Sequence, residues 1–227
     1  MKLYFENSDT LQAGIEILAE DLGFAVAADP REACVTVETQ AVDEDILKLS
    51  FKGKRAKITY GGGKARFFRG LCFLVDWLRD DVSDRELTEA PLFRSNGAMV
   101  DMSRNAVMNV KTVKFMMRKM ALMGMNSFML YTEDTYEIEN RPYFGYMRGR
   151  YTKEEIRELD AYALTLGIEL IPCIQVLAHL GHLPRWEDYY LHMDAADVLL
   201  VGDERVYTLI DNMLSTVAKC YTTRKVH

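Results

Sequence analysis

The chain has 227 residues, 49% apolar and 27% charged, with a net charge of −6, enough to bury a real core in one or two domains. The acidic balance argues against nucleic-acid binding, which needs a basic patch to neutralise phosphates. Residues 1–6, MKLYFE, are not expected to act as a signal peptide, and no run reaches the length of a membrane span.

Residues 2–6 read as a short strand. Ser8 stands where it can cap a helix with Leu11, Ile15, Leu18 and Leu22 on one face, ended by Gly23. Residues 34–39, 46–51 and 54–60 read as strands, with Gly53 in the turn between the last two. Gly61-Gly62-Gly63 opens a second helix with Phe67, Leu71, Leu74 and Leu78 on one face. The triple glycine lacks the Gly-Lys-Ser/Thr ending of a phosphate loop and the spacing of a dinucleotide fold, so it reads as a tight strand-to-helix turn. Residues 1–80 therefore predict a small α+β accessory domain, a sheet with helices on one side. Residues 81–96 are polar, contain Pro91, and read as a linker or junction.

From Gly97 the pattern becomes strand, helix, strand, helix, strand. Strand 98–102 leads to helix 111–123, with Val113, Met116, Met117 and Met120 as its inner face. Strand 127–131 is followed by the long loop 132–151. Thr152 and Glu155 form a capping box for a helix with Ile156, Leu159, Ala163 and Leu166 inside and Gly167 at its end. Strand 168–174 and helix 206–220 complete the series. Residues 97–227 thus predict α/β structure: the first three βα units of a (β/α)8 barrel, incomplete because a whole barrel takes about 250 residues. Cys34, Cys72, Cys173 and Cys220 lie far apart in apolar contexts. They read as buried thiols in a reducing compartment, which places the protein in the cytoplasm. No Cys/His spacing suggests zinc, and no cofactor is expected.

The three barrel-type strands each end in a polar cluster: Asp101/Arg104, Glu133/Asp134 and Gln175/His179. Such ends are where barrels carry their chemistry. The Arg104 guanidinium suits vicinal hydroxyls or a carboxylate, and equally a structural ion pair at the rim. Neighbouring strand residues point to opposite faces, so only one of Glu133 and Asp134 is expected to face the barrel mouth. A solvated acidic loop is the alternative. His179 suits orientation of a carboxylate or a structural role, and with His182 it lacks a third ligand for zinc. Loop 132–151 carries Tyr136, Tyr143, Phe144, Tyr146 and Tyr151, which either stack on sugar rings or hold the loop down. Asp203-Glu204 looks like a catalytic pair at a strand end. Residues 183–196 contain Pro184 and no helical period, so 198–201 does not read as a fourth barrel strand. The two acids are assigned to the amino end of the next helix.

The segments VDMSRNAV, LYTEDTYEIENRPYFGYMRGRYT and IPCIQVLAHL, in this order, resemble glycoside hydrolase family 20, the β-N-acetylhexosaminidases, in a bacterial branch of intracellular type. The resemblance spans nearly the whole chain. It implies hydrolysis of terminal non-reducing N-acetylhexosamine residues by a substrate-assisted, retaining mechanism. In that chemistry the substrate's acetamido oxygen attacks the anomeric carbon, a glutamic acid protonates the leaving oxygen, and the aspartate before it orients the acetamido group. Arg104 is implied to bind hydroxyls of the terminal sugar. Asp134 and His179 are implied to support the catalytic acid, while Glu133 and Gln175 lie beside the motif positions and shape the pocket. The Asp-Glu pair belongs at the end of the fourth strand, and Lys225-Val226-His227 resembles the opening of that strand. No catalytic residue is therefore expected within the chain. It reads as an amino-terminal fragment, inactive alone, that needs the carboxyl-terminal half of the barrel. Expected substrates are glycans or glycosides ending in N-acetylglucosamine or N-acetylgalactosamine, with no nucleic-acid or membrane partner. A non-catalytic carbohydrate-binding or scaffold protein, and a barrel glycosidase for another sugar, remain open readings.

Overall fold

The structure, a computed structural model, describes residues 1–81, 84–104 and 106–227. It divides into one unit of residues 1–97, 115–127 and 163–168, and a second of residues 98–114, 128–162 and 169–227.

In the first unit, β1 (Lys2–Glu6), β2 (Ala25–Val26), β3 (Val35–Ala41), β4 (Leu47–Lys52), β5 (Arg55–Tyr60) and β6 (Arg85–Glu89) form one sheet in the order β2-β1-β3-β5-β4-β6. β2, β1, β3 and β5 run parallel, and β4 is antiparallel to both its neighbours. Alternation decides the faces. Val35, Val37, Leu47, Leu49, Phe51, Ala56 and Ile58 are buried, while the intervening Glu38 and Lys57 pair across the strands at 2.8 Å. The apolar face is covered by α1 (Gln12–Leu22) and α2 (Lys64–Arg79), with Phe67 set edge-on to Phe5 and Tyr60. The β4–β5 hairpin turns at Gly53, whose φ of 58° lies in the left-handed region that glycine occupies without strain.

Three details differ from expectation. Ser8 does not cap α1: the turn Ser8–Leu11 precedes the helix, and the Ser8 carbonyl accepts from the Leu11 N–H at 2.7 Å. β6 lies inside the stretch read as a junction. As an edge strand with exposed and half-buried side chains it shows no apolar alternation, and it is defined by pairing with β4 and a bidentate Arg69–Glu89 contact at 2.6 and 2.8 Å. All four cysteines are free, but only Cys173 and Cys220 are buried; Cys34 is exposed because Val35, its neighbour, takes the inward position.

The second unit is organised by β7 (Gly97–Asp101), β8 (Ser127–Thr132) and β9 (Glu169–Ile174), in that order. β7 and β8 begin together, Asn126 N–H donating to the Asn96 carbonyl, and end together, Met102 N–H donating to the Tyr131 carbonyl, both at 2.8 Å. Thr132 Oγ1 reaches the Cys173 carbonyl at 3.4 Å, so all three strands run the same way. β8 and β9 are buried over most of their length, as parallel strands covered on both faces are. The helices α3 (Val110–Leu122), α4 (Lys153–Thr165) and α5 (Glu204–Cys220) each follow one strand, which makes three βα units. Among the described residues the sheet does not close. Along the free edge of β9, His227 N–H donates to the Pro172 carbonyl and Ile174 N–H to the His227 carbonyl, each at 2.9 Å. That is parallel pairing at the place where a fourth strand was expected to open.

The capping box forms as read: Thr152 N–H donates to Glu155 Oε2 at 2.9 Å, and Glu155 N–H to Thr152 Oγ1 at 3.1 Å. Residues 198–201 are not a barrel strand. β10 (Met193–Ala195) and β11 (Val198–Leu199) form a small antiparallel ladder before α5.

Candidate functional site

The polar ends of β7 and β8 meet at one corner. Asp101 accepts from the Ser103 N–H and Oγ at 2.9 and 2.6 Å and from Arg104 Nη1 at 2.5 Å. Arg104 Nη2 reaches Glu133 Oε1 at 3.1 Å, and the guanidinium lies over the Tyr131 ring, 5.3 Å from its centroid. Hydrogen bonds to Asp101 and Tyr131, together with the charge of Glu133, raise the Arg104 pKa and fix it as a cation. Burial raises the Glu133 pKa against the pull of Arg104, with Asp134 and Asp101 adding to the rise. The rim ion pair is thus present. Half of the Arg104 side chain is still exposed, so its planar fork retains donors for a ligand.

Asp134 turns to a different arginine. Arg148 Nε donates to Asp134 Oδ1 at 3.3 Å, and Arg148 Nη2 donates to the Ser103 carbonyl. One loop side chain therefore ties down the ends of two strands. Glu133 and Asp134 are both buried, which removes the solvated-loop alternative. The two residues lie just past the end of β8 and take separate partners, Arg104 and Arg148. Gly145 lets the loop lie on the carbonyl of Asp134. Its φ is 66°, and a Cβ there would stand 1.9 Å from that oxygen.

The loop aromatics divide into two groups. Tyr136, Phe144 and Tyr151 are buried and hold the loop: Tyr136 meets Phe144 edge-on at 5.3 Å, and Tyr151 Oη donates to the Met108 carbonyl. Tyr143 and Tyr146 stay exposed.

Beyond β9, Gln175 is half-buried. His179 is exposed with a φ of 62° and has no hydrogen-bond partner among the described residues. Its ring is not joined to Asp134. The imidazole within electrostatic reach of Asp134 is that of His182, whose buried Nδ1 has no hydrogen-bond partner among the described residues. Burial lowers the His182 pKa, Arg148 lowers it further, and Asp134 opposes both. Sequence reading missed Arg148. Nothing in MRGRY tells which arginine folds back onto a residue so far away in sequence.

His192 is buried beside Tyr189, and neither ring nitrogen has a hydrogen-bond partner among the described residues. Burial, then Arg141 and Arg205, lower its pKa; Asp203 opposes them. Below about pH 6.5 the unfolded chain takes up protons that the native histidines resist. The contribution of His182 and His192 to stability is therefore complete above that pH and is lost as pH falls through it. The Tm is expected to decline from about pH 7 to about pH 5, and His192→Phe to flatten that decline. Identical slopes for the two proteins in calorimetry would remove His192 as its source.

Asp203 caps α5. It accepts from the Arg205 N–H at 2.9 Å and pairs with the Arg205 guanidinium at 2.6 Å. Those bonds lower its pKa to about 2. Glu204 follows in the first turn. The pair serves the helix, and a carboxyl ionised to that extent is no general acid at neutral pH.

The protein-family model "Glycosyl hydrolase family 20, catalytic domain" matches residues 93–227. The chain is 23% identical over 178 residues to a chitooligosaccharidolytic β-N-acetylglucosaminidase of Ostrinia furnacalis, spanning 68% of this chain and 30% of that protein. It is 27% identical over 168 residues to a β-hexosaminidase of Akkermansia muciniphila, spanning 63% and 33%. A mutant Streptomyces plicatus β-hexosaminidase in complex with its product GlcNAc superimposes with a TM-score of 0.79 at 20% identity, over 100% of this chain and 54% of that one. A Vibrio harveyi exo-β-N-acetylglucosaminidase of family 20, in complex with N-acetylglucosamine, gives 0.78 at 20% identity over 100% and 42%. The chain thus spans about a third of the length of these curated relatives.

Proposed function

The chain belongs to glycosyl hydrolase family 20, and on that premise we propose that it carries the first part of a β-N-acetylhexosaminidase active site. The reaction is hydrolysis of terminal non-reducing N-acetylglucosamine or N-acetylgalactosamine from glycans or glycosides, with the substrate's acetamido oxygen as nucleophile. The observation that carries this reading is Arg104, held between Asp101 and Glu133 at the carboxyl-terminal edge of three parallel strands. That edge is where barrel enzymes assemble their sites. Arg104 hydrogen-bonds hydroxyls of the terminal sugar, and Glu133 and Gln175 shape its surroundings. Asp134, buried against Arg148, supports the acid that protonates the leaving oxygen; His179, assigned to the same role by the resemblance, would have to reach the acid without Asp134. The acid and its neighbouring aspartate are not supplied by Asp203-Glu204, which caps a helix; the rest of the barrel is their source and the chain's partner. Free thiols at all four cysteines support a cytoplasmic setting.

In an active polypeptide carrying these residues, Arg104→Ala is expected to lower kcat/KM on 4-nitrophenyl N-acetyl-β-glucosaminide by on the order of tenfold to hundredfold per lost contact. The melting temperature should fall as well, because Glu133 loses its cation, but by less than the kinetic loss since Arg104 itself is half exposed. Near-normal kinetics with a lowered Tm would assign Arg104 to the rim ion pair alone. Equal turnover of an aryl glycoside that lacks the 2-acetamido group would instead favour a barrel glycosidase for another sugar.

A further inference from the structure

Three metal-ligating side chains meet on one face of the β7-β8-β9 sheet. Cys173 Sγ stands 3.7 Å from Met99 Sδ and 3.2 Å from His227 Nδ1. The bonds that pair residue 227 with β9 run to Pro172 and Ile174, so His227 lies directly opposite Cys173 in the ladder. Met99 comes from β7, on the other side of β8. Two donors of one ion, sulfur at about 2.3 Å and nitrogen at about 2.0 Å, stand roughly 3.2–3.9 Å apart when the angle between them is about 95–115°. Both separations fall in that range. Cys173 is fully buried, whereas Met99 is 58% exposed and His227 is exposed, so an ion has an open side from which to enter. The Cys173 thiol has one proton and two acceptor neighbours, and it can satisfy only one of them at a time. Burial raises its pKa, which keeps that proton in place at neutral pH.

The geometry points to Met99, Cys173 and His227 as a binding site for a soft monovalent metal ion, Cu(I). Donor chemistry selects the ion. Thiolate and thioether sulfur favour Cu(I), and imidazole also suits copper. Among the described residues no three His, Cys, Asp or Glu side chains are placed to hold a metal. The set is complete only with the thioether, which is not among the usual ligands of zinc. Charge points the same way. On binding, the S–H bond breaks, the proton goes to solvent, and the thiolate electron pair forms the bond to the ion, whose oxidation state is unchanged. One thiolate and one monovalent ion are together neutral, whereas a divalent ion leaves a net positive charge beside a buried sulfur. The bound ion clasps β7, β9 and the segment ending at residue 227 together. The assignment is independent of the sugar reading of Arg104.

The test titrates the 227-residue chain carrying Cys34→Ser, which removes the exposed thiol, with Cu(I) in the absence of oxygen. Competition with the chromophoric chelator bicinchoninate reports affinity, X-ray absorption reports the donor atoms, and calorimetry reports Tm. The chain is expected to bind a single ion through two sulfurs and one nitrogen, to release a proton as it does so, and to melt at a higher temperature. Cys173→Ala should abolish the site. Met99→Leu, which nearly conserves volume, and His227→Ala alter exposed side chains and should leave circular dichroism unchanged. Each should weaken Cu(I) by at least about tenfold to hundredfold, the loss that follows even when a partner behind a ligand is removed. Zn(II) should not displace Cu(I). Absence of Cu(I) binding overturns the proposal, and so does binding that survives Cys173→Ala, which would belong to another thiol. Undiminished affinity in Met99→Leu or in His227→Ala overturns the three-donor site whether or not Cys173→Ala folds. Displacement of Cu(I) by Zn(II) overturns the choice of ion.

Discussion

Purified as a 227-residue chain, the protein is expected to release no 4-nitrophenol from 4-nitrophenyl N-acetyl-β-glucosaminide above the spontaneous rate. Glycoside hydrolysis needs a carboxylic acid able to give its proton to the leaving oxygen. Each acidic pair at a candidate position is already committed. Asp203 is an ionised cap with a pKa of about 2. Glu133 and Asp134 are buried just past the end of β8, each against its own arginine. On the proposed reading, a polypeptide without that acid forfeits most of an acceleration of at least about a millionfold. Turnover by the pure chain, abolished by Asp203→Asn or Glu204→Gln, would mean that the helix cap is the catalytic pair after all. Turnover that is insensitive to those changes but lost in Glu133→Gln would move the acid to the segment just after β8.

The second large effect belongs to Arg148. Its guanidinium neutralises Asp134, whose side chain is 4% exposed, and holds the Ser103 carbonyl as well. Arg148→Ala leaves that carboxylate buried without a partner. Breaking a buried pair from one side costs about 3–5 kcal/mol, a large part of the roughly 5–15 kcal/mol that holds a typical domain together. The double variant Arg148→Ala/Asp134→Asn removes the stranded charge and should recover much of the loss in a double-mutant cycle. Urea unfolding followed by circular dichroism measures both. A loss of under about 1 kcal/mol in Arg148→Ala would place this contact among solvent-screened surface pairs, which are worth little. A double variant no better than the single one would show that the bond to the Ser103 carbonyl carries the effect.

What the sequence determined by itself is the part governed by neighbours within a turn or by the period of an element. The Thr152/Glu155 capping box and the Asp203 cap are closed by hydrogen bonds spanning two or three residues, so their spacing is sufficient. The buried runs of β8 and β9 and the inner faces of α3 and α4 follow from apolar periodicity, and with them the βα succession. The tertiary structure alone decided the rest. β6 carries no apolar pattern and exists because β4 offers it an unpaired backbone. Tyr143 and Tyr146 look no different in sequence from Tyr136 and Tyr151, yet one pair is open to solvent and the other fills the loop's interior. Arg148 meets Asp134 across a folded loop, and His182 rather than His179 comes within reach of that carboxylate. The path of a loop is set by where its long-range contacts close, and residue spacing along the chain does not encode that closure.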